Sequence, residues 1–389
     1  MPSRYPLSSV ARLLDSPDLL SRSARHAWRN RVGSRIDYRY REGKSSPPVQ
    51  IDIKIIDACN LRCKMCAQWG ENGYNFTRPS SEISNVVSLD VYKDLVDQLS
   101  GYKPWFYIWG GEPFLYPDLM PLVTYMKEKG FTVSIVTNGT KLEEHAHKLV
   151  EMGQDVLMLS IDGPRETHDN IRGFKGAFDD TVAGIRAIQE AKKRLGRRKP
   201  YLIINSVVTS DNENNLERIY ELGEDLDVDL LLSFYGWFQT PESGMQHTKK
   251  MQESMSVTPW SWRGWVWSVN DIDPNVVVRS VRRIKERRWK FPYVFVPHLE
   301  ESEVGRYYKE HQNSFGHKKC VAPWVMMEIM PNGDVVTCRD YPDLKVGNIK
   351  EAPALEIWNN KQTKSFRNLL KDEGGLLPVC CRCQGLMGW

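Results

Sequence analysis

Three cysteines, Cys59, Cys63 and Cys66, stand within eight residues in the spacing C-x3-C-x2-C, directly after the apolar run Ile51-Asp-Ile-Lys-Ile-Ile56. Thiolates crowded on one loop can face one point, and soft sulfur ligands select zinc or iron–sulfur clusters. A structural zinc ion asks for four closed ligands, and this loop supplies three. A cubane [4Fe–4S] cluster on three cysteines keeps one iron open, where a small molecule can be bound and reduced.

Five further cysteines lie far downstream: Cys320, Cys338, Cys380, Cys381 and Cys383. Asn332-Gly333 between apolar runs signals a β-hairpin, which brings Cys320 and Cys338 together across its base. Cys380 and Cys383 have the C-x2-C spacing that chelates one metal ion or one cluster edge. Together these give four closed ligands, with a zinc ribbon as the alternative to a cluster. Cys381 is left over as an alternative ligand, a hydrogen donor or an inert thiol, and its place between two ligands favours the inert role.

Four other stretches offer polar chemistry at the ends of expected strands. Gly110-Gly111-Glu112-Pro113 pairs two glycines, which let backbone approach a ligand closely, with a carboxylate able to accept from an ammonium group. Thr137-Asn138 and Ser160-Ile-Asp162 put small polar side chains where ribose hydroxyls and a carboxylate are readily bound, although each also reads as turn or N-cap chemistry. Arg172 closes Thr167-His-Asp-Asn-Ile-Arg172-Gly173.

The elements that must position these residues alternate from residue 51 onward. Strands are expected near 51–57, 105–109, 131–136, 155–161, 201–208 and 228–235, with helices near 89–99, 118–129, 141–152, 177–194 and 213–226. Alternation of this kind argues for parallel strands with helical crossovers. A further helix is expected near 353–371. In β/α barrels the chemistry sits where strand C-termini open into loops, and the motifs above fall at such ends.

The C-x3-C-x2-C on the loop after a first strand resembles the signature of the radical S-adenosylmethionine (radical SAM) enzymes, with Met65 where the family usually has an aromatic residue. The resemblance implies an α/β fold, a partial (β/α)6 TIM-like barrel. It also implies that the open iron chelates the methionine part of SAM, that one electron cleaves the sulfonium, and that a 5′-deoxyadenosyl radical takes hydrogen from the substrate. In the family the Gly-Gly-Glu-Pro loop binds the SAM amino group. Ser160 and Arg172 are carried over as ligands of the SAM carboxylate, and Thr137, Asn138 and Asp162 as further SAM contacts.

C-x12-G-x4-C followed by C-x2-C resembles the small C-terminal SPASM/twitch domain of the same superfamily. The resemblance implies the shorter twitch form with one auxiliary [4Fe–4S] cluster on Cys320, Cys338, Cys380 and Cys383, suited to accepting an electron from a substrate radical. In related epimerases a cysteine donates hydrogen instead, the role open to Cys381. A reducing partner such as flavodoxin or ferredoxin is implied. The domains are then a basic N-terminal extension (1–48), the core barrel (49–240), a Trp-rich and basic linker or lid (241–315) and the auxiliary-cluster domain (316–389).

Composition bounds the rest. The chain has 389 residues, a formal net charge of +4 and no apolar run long enough for a membrane helix or a signal peptide, which gives the expectation of a cytoplasmic protein. The cysteine grouping suits metal sites in a reducing compartment better than a disulfide scaffold. Residues 1–50 hold ten Lys/Arg against four Asp/Glu. There Val10, Leu13, Leu14, Leu19 and Leu20 mingle with Arg12, Arg22, Arg25, Arg29 and Arg31. This reads as a solvated helix packed on the barrel in preference to one lying on an anionic membrane. A surplus of this size does not establish a nucleic-acid partner.

Downstream, Trp260, Trp262, Trp265 and Trp267 precede a run from Arg279 to Lys290 with seven basic residues and one acidic. Aromatic surface beside positive charge can grip a substrate; a packed linker beside a solvated helix is the alternative. A sugar, aminocyclitol or other small polar substrate is expected. The alternatives are a peptide or protein side chain, epimerisation, and a lipid-linked substrate. A non-catalytic iron–sulfur carrier and a zinc-containing nucleic-acid module leave the Gly-Gly-Glu-Pro loop unexplained.

Overall fold

The computed structural model describes residues 21, 24, 25 and 27–387. In chain order its strands are β1 (Gln50–Lys54), β2 (Trp105–Trp109), β3 (Val133–Thr137), β4 (Val156–Ser160), β5 (Tyr201–Val207), β6 (Leu230–Phe234), β7 (Tyr293–Val296), β8 (Met326–Ile329), β9 (Asp334–Val336) and β10 (Lys345–Asn348). The fold is α/β with parallel strands, and β1 to β6 alternate with helices as the periodicity requires. The five expected crossover helices are Leu89–Gln98, Leu119–Glu128, Leu142–Glu151, Ala177–Leu195 and Leu216–Asp225. The chain divides into two compact units, and the division falls inside β3.

One unit gathers residues 28–135, 237–267 and 310–389 and holds all eight cysteines. Here β1 lies between β2 and β8 and runs parallel to both. All five residues of β1 are buried, including Asp52 and Lys54, so both charges require partners inside the protein. β8 turns into antiparallel β9 through Met330-Pro331-Asn332-Gly333, where the Gly333 N–H donates to the Met330 carbonyl at 2.9 Å and Gly333 takes φ +90°. The cysteine-bearing hairpin therefore extends the sheet that carries β1. The expected helix near 353–371 is two helices, Ala354–Trp358 and Lys361–Asp372. They break at Asn359-Asn360, where the Asn360 side chain caps the second by accepting from the Thr363 N–H at 2.9 Å.

The other unit gathers 136–236 and 268–309, with β4, β5, β6 and β7 in parallel order. β7 departs from the linker or lid expected over 241–315: Tyr-Val-Phe-Val is a four-residue strand paired along its length with β6. Part of the basic run before it is taken up by ion pairs. It lies largely on the helix Pro274–Glu286, whose arginines meet acids of neighbouring helices: Arg282 with Glu301 at 2.6 Å, and Arg283 with Glu217. Just beyond the helix, Arg287 meets Glu221 and Glu224 at 3.1 and 3.0 Å. Half-exposed pairs of this kind contribute little each.

Val10, Arg12, Leu13, Leu14, Leu19, Leu20 and Arg22 lie outside the described residues. Arg29, expected on a solvated face, is instead buried against Asp37.

Candidate metal centres and cofactor site

β1 delivers the chain into the first cysteine loop. The loop is wound on its own backbone: the Gly70 N–H donates to the Cys66 carbonyl at 2.7 Å, and Tyr74 and Asn75 donate to Ala67 and Gln68 at 2.9 and 3.0 Å. A Cβ at Gly70 would stand 2.6 Å from the Cys66 oxygen, so no side chain fits there. Beneath the loop, buried Lys54 pairs with Asp57 and donates to the Tyr74 hydroxyl at 3.1 Å, while Arg78 reaches the other Asp57 oxygen at 2.7 Å. Burial alone would neutralise Asp57, but the two cations hold its carboxyl below the usual range. Neither Lys54 nor Arg78 stands out in the sequence, because their partner is fixed only once the loop folds.

The three thiols are electrostatic neighbours. Burial pushes Cys59 up to about 12, and Cys63, Glu112 and Cys66 add like charge. No disulfide joins any of the eight cysteines. Among the described residues no three His, Cys, Asp or Glu side chains form a group that holds a single metal ion. A cluster in which each thiolate takes its own iron does not ask for that convergence.

Gly110 and Gly111 are needed for a reason the sequence did not give. A Cβ at Gly110 would lie 2.4 Å from the Ile56 carbonyl oxygen, and one at Gly111 would lie 2.0 Å from that of Ala58. The glycines thus let this loop lie against the backbone that enters the cysteine loop, with Gly111 and Glu112 N–H groups donating to Ile56 and Ala58 at 2.8 and 2.9 Å. Gln68 donates to the Gly110 carbonyl at 3.0 Å. Glu112 is fully buried and caps the turn Pro113–Leu115 by accepting from the Phe114 N–H at 3.1 Å. Trp109, just before the glycines, has a buried indole N–H with no protein partner among the described residues, a donor that sequence reasoning missed.

The second site lies in the same unit. Cys320, Cys338, Cys380 and Cys383 line one cavity together with Asp340, Tyr341 and Val379, and Cys381 does not line it. Cys383 is raised well above the usual thiol value by burial, then by the charges of Asp340, Cys338, Cys320 and Cys380. Four mutually close thiols around one cavity fit a fully ligated iron–sulfur cluster. Cys381 turns away, with its sulfur 3.8 Å from the Gln312 carbonyl.

A buried charge cluster adjoins this cavity. Asp52 on β1 stands opposite Glu328 on β8 and Tyr107 on β2, and Arg339 reaches Asp52 at 2.9 Å across 287 residues of sequence. Burial, followed by the Asp52 charge, raises Glu328 well above the carboxylate range. A raised folded-state value gives stability that is complete below the unfolded value of about 4.3 and is lost as pH rises through the folded one. Chemical denaturation of the metal-free chain should show wild type losing stability above about pH 4–5 relative to Glu328→Gln. Parallel pH profiles would show that Glu328 is ionised in the fold.

The tryptophan-rich segment is a strap between the two cysteine sites. A Cβ at Gly264 would stand 2.2 Å from the Ala67 carbonyl, next to Cys66, and Asn72 donates to the Val266 carbonyl at 2.8 Å. On the other side the Trp265 indole donates to the Asp340 carbonyl at 2.9 Å, and Trp265 packs with Cys338, Tyr341 and Val379. Most of this aromatic surface is therefore spent on packing, although Trp260 remains exposed.

The other unit holds the remaining expected contacts. Arg172 pairs with fully buried Asp162 at 2.5 Å, so these two residues form a pair rather than two independent ligands. His168 backs them by accepting from the Asp162 N–H at 3.3 Å, and burial together with the Arg172 charge pushes it down to about 3, which keeps it neutral. Thr137 and Asn138 fold onto their own turn: Thr137 accepts from the Gly139 N–H at 3.0 Å, and Asn138 accepts from Thr140. Ser160 ends β4 opposite Asn205, whose buried carboxamide oxygen has no protein partner among the described residues; nor has the Thr209 hydroxyl. Buried polar groups of this kind are met by ordered water or by a ligand.

Two family models match the chain: the radical SAM superfamily over residues 53–223 and an iron–sulfur cluster-binding domain, SPASM, over 320–384. An AdoMet-dependent heme synthase of Methanosarcina barkeri is 27% identical over 87% of this chain and 89% of its own. An Fe-coproporphyrin III synthase of the same organism is 26% identical over 84% of this chain and 78% of its own. A tungsten-containing aldehyde ferredoxin oxidoreductase cofactor-modifying protein of Pyrococcus furiosus is 24% identical over 85% of this chain and 86% of its own. Among solved structures, Streptococcus suis SuiB bound to S-adenosylmethionine shares the fold with TM-score 0.61 at 15% identity, over 97% of this chain and 81% of that one.

Proposed function

The chain belongs to the radical SAM superfamily and carries a C-terminal iron–sulfur domain, and from that premise we propose that this enzyme oxidatively modifies a tetrapyrrole or a comparable cofactor-sized molecule. The observation that carries the substrate class is similarity along most of the chain to proteins named for heme, Fe-coproporphyrin III and cofactor modification. The sugar or aminocyclitol expected from the sequence has no counterpart among those names, and the tetrapyrrole reading replaces it.

Cys59, Cys63 and Cys66 would hold a [4Fe–4S] cluster, which together with SAM would supply the radical chemistry that removes hydrogen from the substrate. The protein's own part is placement. Glu112 accepts from the SAM ammonium group while its backbone stays tied to Ala58. Within its own unit Arg172 is oriented by Asp162 and by neutral His168, and with Ser160 it would take a carboxylate. Cys320, Cys338, Cys380 and Cys383 hold the auxiliary cluster beside the Asp52–Arg339 pair. Electrons reach the enzyme from a flavodoxin- or ferredoxin-type donor.

Anaerobic turnover with SAM, strong reductant and iron-coproporphyrin III tests the substrate class by mass spectrometry. The expected result is 5′-deoxyadenosine formation accelerated by the tetrapyrrole, together with a changed tetrapyrrole mass. An unchanged tetrapyrrole, with acceleration by a sugar or a peptide instead, would move the enzyme to that class.

A further inference from the structure

The helical segment that opens the described chain carries a surface the chemistry above does not use. It runs through the π-helical turn Arg29–Gly33 into the α-helix Ser34–Tyr40. One side is fixed to its own unit. Arg29 pairs with Asp37, both meet the Ser45 hydroxyl, Arg29 and Ser45 donate to the Trp324 carbonyl at 3.2 and 2.9 Å, and the Tyr38 ring packs against Trp324 with centroids 4.9 Å apart.

The opposite side is apolar and open. Trp28, Val32, Ile36 and Tyr40 recur at every fourth residue and are 57, 43, 45 and 68% exposed. Four apolar side chains in one row are not the scattered singles of an ordinary surface. Beside them Arg31, Arg35 and Arg39 form a second exposed row. The sole acid between residues 28 and 40 is Asp37, which is buried and already paired. Lys319, exposed, holds its ammonium 5.1 Å from the Tyr38 ring and adds to the same charge.

We propose that this face docks on an anionic lipid bilayer, with the Trp28–Val32–Ile36–Tyr40 row entering the headgroup boundary and the arginines meeting lipid phosphates. Tryptophan and tyrosine at the two ends of the row are the residues that favour that boundary, and an arginine row without acids complements a negative surface. A second copy of the chain is a poorer occupant. One row of four side chains falls short of the roughly 800 Å² per partner that stable association buries, and two such arginine rows would repel.

Cosedimentation of the full-length chain tests this, using vesicles of phosphatidylcholine alone and of equal parts phosphatidylcholine and phosphatidylglycerol. Binding is expected only to the phosphatidylglycerol vesicles and should fall with salt. Each of Arg31→Gln, Arg35→Gln and Arg39→Gln should weaken it roughly fivefold. Trp28→Ser with Ile36→Ser should weaken it further while leaving thermal unfolding unchanged, because both side chains already face solvent. No binding by wild type, or equal binding by the Trp28/Ile36 variant, overturns the proposal. A wild-type dimer in light scattering that becomes monomeric in that variant also overturns it, and gives the face to a second copy.

Discussion

Alanine at Cys59, Cys63 and Cys66 together is expected to empty the first site and bring reductive cleavage of SAM to background, while the C-terminal site keeps its iron. The three thiols share one loop, Glu112 on the neighbouring glycine loop adds its charge to theirs, and among the described residues no other His, Cys, Asp or Glu forms a competing metal group there. The second site is built from other elements, the β8–β9 hairpin and the turn Pro378–Arg382, so its four cysteines remain in place. The reciprocal variant, Cys320→Ala with Cys338→Ala, should still form 5′-deoxyadenosine but lose net substrate oxidation. Iron per chain, the spectrum of the remaining cluster and 5′-deoxyadenosine are the readouts. Loss of iron from both sites in the triple variant would mean that the fold itself depends on the first cluster.

The second large effect is expected from one methyl group. Gly111→Ala places a Cβ 2.0 Å from the Ala58 carbonyl oxygen, with Asp57 backbone 2.5 Å away, and neither neighbour is a flexible side chain that can give way. The glycine loop or the cysteine loop must move. The cost is roughly 3 kcal/mol of stability, at the upper end of ordinary overpacking. Displacement of Ala58 also misplaces Cys59, so iron at the first site should fall along with the denaturation midpoint. Gly101→Ala is the control: nothing stands within 4 Å of its position, and the change should stay within about 1 kcal/mol. Equal stability and equal iron in Gly111→Ala and wild type would show that the two loops are not held in this contact.

What the sequence discloses here depends on how local each signal is. Cysteine spacing is read directly because the ligands lie within a few residues of each other, and Asn332-Gly333 predicts its hairpin because turn chemistry is local. The six strands and their helices follow from periodicity. β7 escapes because Tyr293–Val296 is short and follows a charged helix whose acidic partners, Glu217, Glu221, Glu224 and Glu301, lie elsewhere in the chain. Asp52 and Arg339 pair across 287 residues, which no local pattern reports. The Gly-Gly-Glu-Pro loop is visible as a motif, but its glycines are needed for contact with the Ile56–Ala58 backbone, and that appears only in three dimensions. Arg172 and Asp162 are both legible as polar site residues; their pairing is not.

The measurement that bears most directly on this account is 5′-deoxyadenosine formed per chain by anaerobically iron-loaded protein given SAM and a strong reductant, with the Cys59/Cys63/Cys66→Ala variant alongside. Wild type is expected to cleave SAM and the variant to leave it intact. Intact SAM in fully iron-loaded wild type, or equal cleavage by both proteins, would contradict it.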